Sequence, residues 1–278
     1  MKAPSSARAA TTPAAGGPPL LRENIGTIAV LTLDRPQARN SLSEAMLAAL
    51  RQELERLAAD KRIRAVVLAA NGPAFSAGHD LKELTAHRAD PDQGRGYTRH
   101  IMESCSAMML AILRLPQPVV AAVEATATAA GCQLVATCDL AVASRNAKFS
   151  TPGVHIGLFC STPMVALSRT VARKHAMEML LTGDMTSADD AYRIGLINRV
   201  VEPGAARDEA LKLARKIAAK SAAVVRLGKE AFYRQIEMDV VNAYSYANEV
   251  MLKNMMARDA EEGMSAFVEK RTPVWEDR

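Results

Sequence analysis

Short apolar runs of strand length alternate with helical stretches along most of this chain. The segments 27–33, 63–70 and 118–124 are strand-like, and the second is continuously apolar, as expected for a strand buried on both faces. Apolar residues spaced by three and four between these runs indicate helices over 44–57 and 97–114. Because parallel strands need a crossover of this kind, the alternation predicts an α/β fold with a largely parallel sheet.

The second half of the chain continues this pattern and then becomes wholly helical. Up to residue 202 the periodicity predicts a short helix from Ala130, strands over 140–143 and 196–201, and helices over 164–171, 176–181 and 188–195. Beyond Pro203 it predicts helices over 205–220, 222–258 and 261–271. We therefore expect a flexible tail over 1–19, an α/β core over 20–202 and a helical subdomain over 203–278. The methionines on the long faces of that subdomain favour oligomerisation, with packing on the chain's own core as the alternative: Met238, Met251, Met255 and Met256.

Composition argues against several classes of partner. The 35 basic and 30 acidic residues are interspersed and only 4% of residues are aromatic, so no basic groove or base-stacking surface for nucleic acid is predicted. The apolar runs are far shorter than the roughly 18 residues that a membrane span needs. Glycine-rich phosphate loops and metal-ligand spacings are also missing from the sequence. We expect no nucleic acid, membrane or metal as a partner.

The cysteines and the N-terminus bear on the compartment. None of the four cysteines has CxxC spacing, which is typical of reduced core residues in an intracellular protein: Cys105, Cys132, Cys138 and Cys160. Residues 1–19 contain Lys2 and Arg8 but no acid. This composition suits a flexible tail or, as the alternative, a short organellar targeting segment. We expect a cytoplasmic protein, with the mitochondrial matrix as the alternative.

Two loops carry small or polar residues where a predicted strand leads into a helix. They are 74–84, after the strand over 63–70, and 125–134, after the strand over 118–124. In parallel α/β sheets, ligands bind at such carboxyl ends of strands. N–H groups in the first turn of a helix lack partners, and two of them aimed at one point form an oxyanion hole. The alternative for each loop alone is a tight connection between elements.

These segments resemble the enoyl-CoA hydratase/isomerase (crotonase) superfamily. Residues 74–84, A-F-S-A-G-H-D-L-K-E-L, resemble its F-(S/A)-A-G-x-D-(L/I)-K-E-(M/L) loop, and 263–271, G-M-S-A-F-V-E-K-R, resemble its C-terminal helix. Nine residues further along the chain resemble a later signature of the family: Leu181, Thr182, Gly183, Ala188, Ala191, Gly195, Leu196, Val200 and Val201. The resemblance covers residues 22 to 275. It implies a crotonase-like spiral of ββα turns whose C-terminal helices assemble a homotrimer or a dimer of trimers.

The resemblance also implies which residues meet the ligand, an acyl-CoA thioester. It places the two oxyanion amides at His79 and Ala130. Coenzyme A is expected as part of the substrate, with no tightly bound cofactor. It would contact six residues, mostly through their backbone atoms: Arg35, Ala38, Ala77, Asp80, Leu81 and Lys82. Phe267 and Lys270 would approach the nucleotide end from a neighbouring subunit. Charge and reach suit Lys82 and Lys270 to its phosphates.

Two residues depart from the family pattern where its hydratases carry catalytic glutamates. Gln133 and Gly153 occupy these positions. Glutamine accepts no proton near neutral pH and glycine has no side chain, while each general acid or base contributes about 10² to 10⁴ in rate. We therefore expect weak or absent hydratase activity in a protein that still binds acyl-CoA. The dihydroxynaphthoyl-CoA synthase branch also has glycine at the second position and recruits bicarbonate, for which Gly153 leaves room.

Four nearby residues are candidates for substitute chemistry. His79 and His155 carry imidazoles, and Cys160 becomes a nucleophile only if its pKa is lowered. Asp80 suits the cap of a helix better than the role of a base. The leading hypothesis is an acyl-CoA-binding, enoyl-CoA hydratase-like protein of fatty acyl-CoA metabolism. The alternatives are a non-catalytic acyl-CoA binder or sensor, or a divergent acyl-CoA isomerase, thioesterase or decarboxylase.

Overall fold

The larger of two sheets is built from the apolar runs. The computed structural model describes residues 17–278, so most of the predicted tail over 1–19 lies outside the described residues. In spatial order the larger sheet contains β1 (Leu20–Ile25), β2 (Ile28–Leu33), β3 (Ala65–Ala70), β5 (Val119–Val123), β7 (Leu140–Ser144) and β10 (Arg199–Val201). All neighbours are parallel except β1 and β2. The predicted α/β fold is confirmed, while β1 escapes prediction because its centre is polar and four of its six residues are exposed.

The smaller sheet gives the chain its spiral. It contains β4 (Ala74–Ser76), β6 (Thr126–Thr128), β8 (Lys148–Ser150) and β9 (Thr186–Ser187), parallel except for the last pair. Each of β4, β6 and β8 follows a strand of the larger sheet and precedes a helix, so the ββα turn repeats three times. This is the spiral that the resemblance implies. Strands of two or three residues are too short to show a periodicity in sequence.

The helices of the described residues lie close to their predicted positions. They are α1 (Glu44–Ala59), α2 (Leu81–Ala86), α3 (Arg95–Arg114), α4 (Ala130–Thr137), α5 (Pro163–Thr170), α6 (Arg173–Thr182), α7 (Ala188–Arg193), α8 (Ala206–Ala218), α9 (Ala222–Gln235), α10 (Val240–Met255) and α11 (Arg258–Glu269).

One helix cap and one helix boundary differ from what the sequence predicts. Ser41 and Glu44 have the spacing of a capping box, yet the Ser43 hydroxyl caps α1 by accepting from the Met46 N–H. The Ser41 hydroxyl donates instead to the Asp80 carboxylate, at 2.9 Å. The predicted helix over 222–258 is two helices, because Asp239 accepts backbone N–H bonds at the start of α10.

Side chains of β3 alternate between two apolar clusters on opposite faces of the larger sheet. Val66 and Leu68 belong to the cluster that α1 and α3 complete. Val67 packs with Ala210 and Ala214 of α8 on the other face. The apolar run of β3 therefore reflects burial on both faces, as predicted. Helix α8 packs on this sheet although it lies in the predicted helical subdomain, whose boundary stays a prediction.

A part-buried ion pair joins α9 to the amino ends of the parallel strands. Lys229 Nζ lies 2.7 Å from Asp139 Oδ2. It also donates to the carbonyl oxygens of Ile112 and Gln117, at 3.0 and 3.1 Å. The Tyr233 hydroxyl donates to the other carboxylate oxygen at 2.9 Å. Burial lowers the pKa of Lys229, and the Asp139 carboxylate opposes this shift. All three ammonium hydrogens have acceptors, so the cluster is satisfied within the protein.

The C-terminal helices leave many apolar side chains in water. The most exposed of these on α10 and α11 are Val240, Val241, Tyr244, Met251, Leu252, Phe267 and Val268. These side chains form an apolar surface that the rest of the described chain leaves uncovered. None of the helices in residues 17–278 is both long enough and apolar enough to cross a bilayer.

Candidate functional site at the carboxyl ends of β4 and β6

The two loops predicted to carry chemistry lie against each other. A Cβ atom on Gly78 would stand 2.8 Å from the Ala129 Cβ and 3.1 Å from the Ala130 nitrogen. A Cβ atom on Gly131 would overlap the carbonyl group of Ser76. Both positions therefore require glycine, because the backbones of the two loops approach closely there.

A strained residue places the first N–H group of α4 at this contact. Ala129 has φ 49° and ψ −121°, a conformation that residues with a Cβ rarely adopt. Its N–H donates to the Ser150 carbonyl at 2.9 Å, which holds the turn on β8. Ala130 then opens the helix, where N–H groups have no intrahelical acceptor. In the part of the chain that the structure describes, neither the Ala130 N–H nor the His79 N–H donates to a backbone carbonyl oxygen of a loop or turn.

A third loop, between β2 and α1, is fastened to the first by a buried asparagine. Asn40 Nδ2 donates to the Ala74 carbonyl and its Oδ1 accepts from the Arg35 N–H, at 2.8 and 2.7 Å. The Ala77 N–H donates to the Arg39 carbonyl at 3.0 Å. Asn40 is not among the residues predicted from the sequence. The available signal was its residue type, since asparagine tolerates the left-handed backbone found here, with φ 50°.

The contact between the loop that follows β2 and the loop that follows β4 brings together four of the six residues expected to contact coenzyme A: Arg35, Ala38, Ala77 and Asp80. Asp80 caps α2 by accepting from the Lys82 N–H at 3.1 Å, so its predicted capping role is confirmed. Its carboxylate also accepts from the Ser41 hydroxyl and lies 3.9 Å from Arg35 Nη1. The other two expected residues, Leu81 and Lys82, are exposed in the first turn of α2.

The residues expected to act from a neighbouring subunit lie on α11. Phe267 is 84% exposed. Lys270 ends the helix in the left-handed conformation, with φ 57°. Among residues 17–278, no hydrogen bond or ion pair joins α11 to the loops at 35–42 and 74–84. A role for either residue at the ligand thus stays a prediction about the assembled protein.

Three neutral polar side chains flank the contact between the loops. Gln133, one turn along α4 from Ala130, is only 5% exposed, and its Oε1 has no hydrogen-bond partner among the described residues. The same holds for Ser150 Oγ and His79 Nε2. Burial lowers the pKa of His79 to about 4, so its imidazole is neutral at pH 7.

Cys160 fills the space beside Gly153. A Cβ atom on Gly153 would stand 2.9 Å from Cys160 Sγ and 3.0 Å from the Leu158 carbonyl oxygen. Burial raises the pKa of Cys160, against the effect of the Gly153 N–H that bonds to its sulfur, so the thiol is protonated at neutral pH. The expectation that Gly153 leaves room for an anion is therefore wrong, because Cys160 and Leu158 fill the space where a side chain at this position would lie.

The remaining candidates lie outside this contact. His155 Nε2 donates to the Thr182 carbonyl at 2.8 Å, which ties the ring to the end of α6. Within residues 17–278, no three His, Cys, Asp or Glu side chains are grouped to hold a metal ion. A groove of about 440 Å³ lies elsewhere, at the amino ends of β5 and β7 beside Asp139 and Lys229.

Comparisons with known proteins agree with this architecture. A family model described as enoyl-CoA hydratase/isomerase matches residues 23–278. The chain is 49% identical over 245 residues to enoyl-CoA hydratase domain-containing protein 3, mitochondrial, of Rattus norvegicus. The matched region covers 88% of this chain and 80% of that relative.

Two solved structures are similar over nearly the whole chain. An enoyl-CoA hydratase of Mycobacterium smegmatis is 56% identical with a TM-score of 0.88, covering 93% of this chain and 99% of that one. Human enoyl-CoA hydratase domain-containing protein 3 is 46% identical, also with a TM-score of 0.88, covering 92% of this chain and 100% of that one. The chain belongs to the enoyl-CoA hydratase/isomerase family.

Proposed function

We propose that this protein binds an acyl-CoA thioester and holds its carbonyl oxygen between the backbone N–H groups of His79 and Ala130. The observation that supports the proposal is the contact of the two loops through Gly78 and Gly131, each of which is the chain neighbour of one of these amides. The first turn of α4 adds the positive end of a helix dipole. Two such donors stabilise the negative charge that develops on a thioester oxygen.

Coenzyme A enters this site as part of the substrate, and no tightly bound cofactor is needed. Its path follows the loop between β2 and α1 and the start of α2, mostly along the backbone of Arg35, Ala38, Ala77, Asp80, Leu81 and Lys82. The exposed side chain of Lys82 can reach a phosphate in solution. The hydrogen bonds of Asn40 hold this loop in one conformation, which supports a fixed path for coenzyme A.

The proposed assembly is a homotrimer or a dimer of trimers formed through the C-terminal helices. The exposed apolar side chains of α10 and α11 support it, since a surface of that kind gains from burial. In such an assembly Phe267 and Lys270 of a neighbouring subunit would contact the nucleotide end of coenzyme A.

Ordinary hydration at this site should be slow. It needs one group to activate water and one to exchange a proton with the α-carbon. The Gln133 carboxamide takes up no proton, Gly153 has no side chain, and the lowered pKa of His79 makes it a weak base at pH 7. These residues favour, as the second candidate, a non-catalytic acyl-CoA binder; a divergent isomerase, thioesterase or decarboxylase would need a base from elsewhere.

The amide at Ala130 can be tested by removing its hydrogen. Ala130 is the first residue of α4, a position where a helix tolerates proline, whose ring replaces the N–H hydrogen with a methylene group. In calorimetry with crotonyl-CoA, Ala130→Pro should bind at least about tenfold more weakly than the natural protein, because one hydrogen bond is lost and the ring occupies the place of the donor. Arg173→Pro, at the exposed first position of α6, is the matched control and should bind normally.

Two results would contradict the proposal. Equal affinity of Ala130→Pro and the natural protein, with an intact fold by circular dichroism, would show that the amide does not contact the ligand. Crotonyl-CoA hydration by the natural protein at about 10² per second or faster would show that proton transfer is supplied despite Gln133 and Gly153.

For the compartment, we propose the mitochondrial matrix. Relatives from rat and human are named as mitochondrial, which supports this alternative, whereas the cytoplasmic expectation has no support. The acid-free composition of 1–19 is compatible with targeting, although residues 1–16 lie outside the described residues. Residues 1–30 fused to a fluorescent protein should reach mitochondria in animal cells, and diffuse fluorescence would contradict the proposal.

A further inference from the structure

The groove beside Asp139 lies at the edge of the larger sheet opposite to the candidate site. Strand β5 begins next to the groove, after Pro118, and ends at Val123. The loop 125–134 of the candidate site follows that far end. Five residues of a strand span about 16 Å, at about 3.3 Å per residue. The volume of the groove, about 440 Å³, is that of a site for a small molecule.

Apolar side chains from four parts of the chain form the floor of the groove. Pro118 precedes β5, Leu140 begins β7, and Ile217 lies on the last turn of α8. Val225 and Phe232 of α9 complete the lining, and the ring of Phe232 is 54% exposed. Apolar surface of this kind gains from contact with an apolar body, in proportion to the area removed from water.

The charged groups at the base of the groove are paired with one another. Asp139 Oδ2 accepts from the Val119 N–H and from Lys229 Nζ, both at 2.7 Å. Its Oδ1 accepts from the Tyr233 hydroxyl. The other two hydrogens of Lys229 bond to backbone carbonyl oxygens. The base therefore offers a ligand neither a free cation nor a free anion.

Two cations at the rim of the groove, in contrast, have no partner in the described chain. Lys216 and Lys220 line the groove and are exposed. Among residues 17–278, the lysines whose ammonium groups form a hydrogen bond or an ion pair are Lys212 and Lys229 only. The rim of the groove thus carries two positive charges that no carboxylate of the described chain balances by contact.

The end of α8 does not need these two lysines. Basic residues often interact with the last carbonyl groups of a helix, but Arg64 already donates to the carbonyl oxygens of Ala218 and Lys220, at 3.2 and 3.1 Å. The neighbouring carboxylate of Asp277 pairs with the same arginine. Lys216 and Lys220 are four residues apart, a spacing at which like charges repel, so an anion between them would be stabilising.

We propose that this groove is a second ligand site, which binds an aliphatic carboxylate such as a fatty acid. The hydrocarbon chain packs on Pro118, Leu140, Ile217, Val225 and Phe232, and the carboxylate pairs with Lys216 and Lys220. An apolar floor with two free cations at its rim is complementary to a molecule that is apolar along its length and negative at one end. The site is independent of the thioester site proposed above.

A titration of the natural protein by methyl NMR tests this proposal, with octanoate and octan-1-ol as probes. Both should shift the methyl signals of Leu140, Ile217 and Val225. Octanoate should bind about fivefold more tightly than octan-1-ol, the effect of two exposed ion pairs. Affinity should rise about twofold to fourfold per methylene from hexanoate to octanoate. Unshifted groove signals, or equal affinity for the acid and the alcohol, would overturn the inference.

Variants on α8 assign the preference to the two lysines of the rim. Lys216→Gln with Lys220→Gln should bind octanoate and octan-1-ol equally. Lys212→Gln with Arg215→Gln, which makes the same change of charge at exposed residues of α8 outside the groove lining, is the control and should keep the natural preference. A preference that survives in the first variant would overturn the inference.

Sedimentation distinguishes a small ligand from a second copy of the chain in the groove. The natural protein should sediment identically with and without octanoate, because the proposed carboxylate enters a groove that is open in the assembled protein. Dissociation of the assembly by octanoate would show that another subunit covers the groove, and would also overturn the inference.

Discussion

Single residues explain why the proposed site should polarise a carbonyl group more readily than it moves a proton. The backbone of His79 and Ala130 is proposed to supply donors, but the buried side chains with unpaired polar atoms beside them, those of His79, Gln133 and Ser150, are neutral at pH 7. Among residues 17–278, His79 is the one titratable group with an unpaired buried atom. Its lowered pKa comes from burial alone, because no charged neighbour contributes.

The buried ring of His79 should make stability depend on pH. Its pKa is about 4 in the folded chain and about 6.5 when unfolded, so only the unfolded state takes up the proton between these values. The free energy of unfolding should therefore keep its highest value above pH 6.5 and decrease by about 3 kcal/mol as the pH falls to 4. Urea unfolding at several pH values measures this.

His79→Leu removes the titrating ring and should lose most of that pH dependence. His100→Gln, which removes an exposed histidine of α3, is the control and should keep the natural behaviour. If His79→Leu and the natural protein lose equal stability between pH 6.5 and 4, the ring of His79 is not buried as described.

The contact between Gly153 and Cys160 limits any attempt to restore a carboxylate. Gly153→Ala should lower the free energy of unfolding by about 1 to 3 kcal/mol, because the new Cβ meets Cys160 Sγ at 2.9 Å. Adding Cys160→Ala makes room, so the double variant should be less destabilised than the sum of the single variants, by about 1 kcal/mol.

Urea unfolding of the four proteins in this cycle is the measurement. Gly228→Ala, on α9 with open space around the glycine, is a control and should not destabilise. Additive effects at Gly153 and Cys160 would contradict the described contact. A functional Gly153→Glu variant would likewise need Cys160 to be made smaller.

At the scale of elements, the junction of β6 and α4 determines where the proposed oxyanion amide points. The turn at Ala129 is strained, and the helix that follows packs its second residue, Gly131, directly on the backbone of β4. Strain of this kind persists only where the surrounding contacts impose it. Here the hydrogen bond to Ser150 and the close approach of Ser76 do so.

Substitutions on either side of Ala130 should have opposite effects on stability. Ala129→Gly relieves a strain of about 1 to 3 kcal/mol and loses less than that in chain entropy, so the free energy of unfolding should rise by about 1 kcal/mol. Gly131→Ala should lower it by about 3 kcal/mol, because its Cβ overlaps the carbonyl of Ser76. Chemical denaturation measures both, and a stabilising Gly131→Ala would contradict the described packing.

At the scale of the whole molecule, the C-terminal helices are anchored by polar contacts while their apolar faces stay exposed. Lys229 fixes α9 on the sheet, and the Trp275 indole N–H donates to the Ala219 carbonyl at 2.9 Å. Asp259 accepts the N–H groups of Glu276 and Asp277. Residues at the chain end are thereby held against α8 and α11, and the free faces of α10 and α11 remain available for a second subunit.

Charges placed on the exposed face of α10 should prevent assembly. Val241 and Tyr244 are 75% and 71% exposed in the single chain. The double variant Val241→Asp with Tyr244→Asp should sediment as a monomer, because burying unpaired carboxylates is strongly unfavourable. Gln52→Asp on α1 is the charged control and should sediment like the natural protein. A natural protein that sediments as a monomer would contradict the proposed trimer.

Local patterns in the sequence determined the elements of this fold and the location of its candidate site. The alternation of apolar runs and helical periodicity predicted the parallel sheet, and the small residues of 74–84 and 125–134 marked the loops that meet. Periodicity and motifs report on neighbours a few residues apart, which is why β3, α3 and α4 were predictable from them.

Only the tertiary structure decided how these parts contact one another. The filling of the space beside Gly153 by Cys160, the fastening of a loop by Asn40, and the unpaired atoms of Gln133 and Ser150 all depend on side-chain directions between elements. Packing of α8 on the sheet joins residues more than a hundred positions apart. Such contacts arise when separate elements come together, so the pattern along the chain does not contain them.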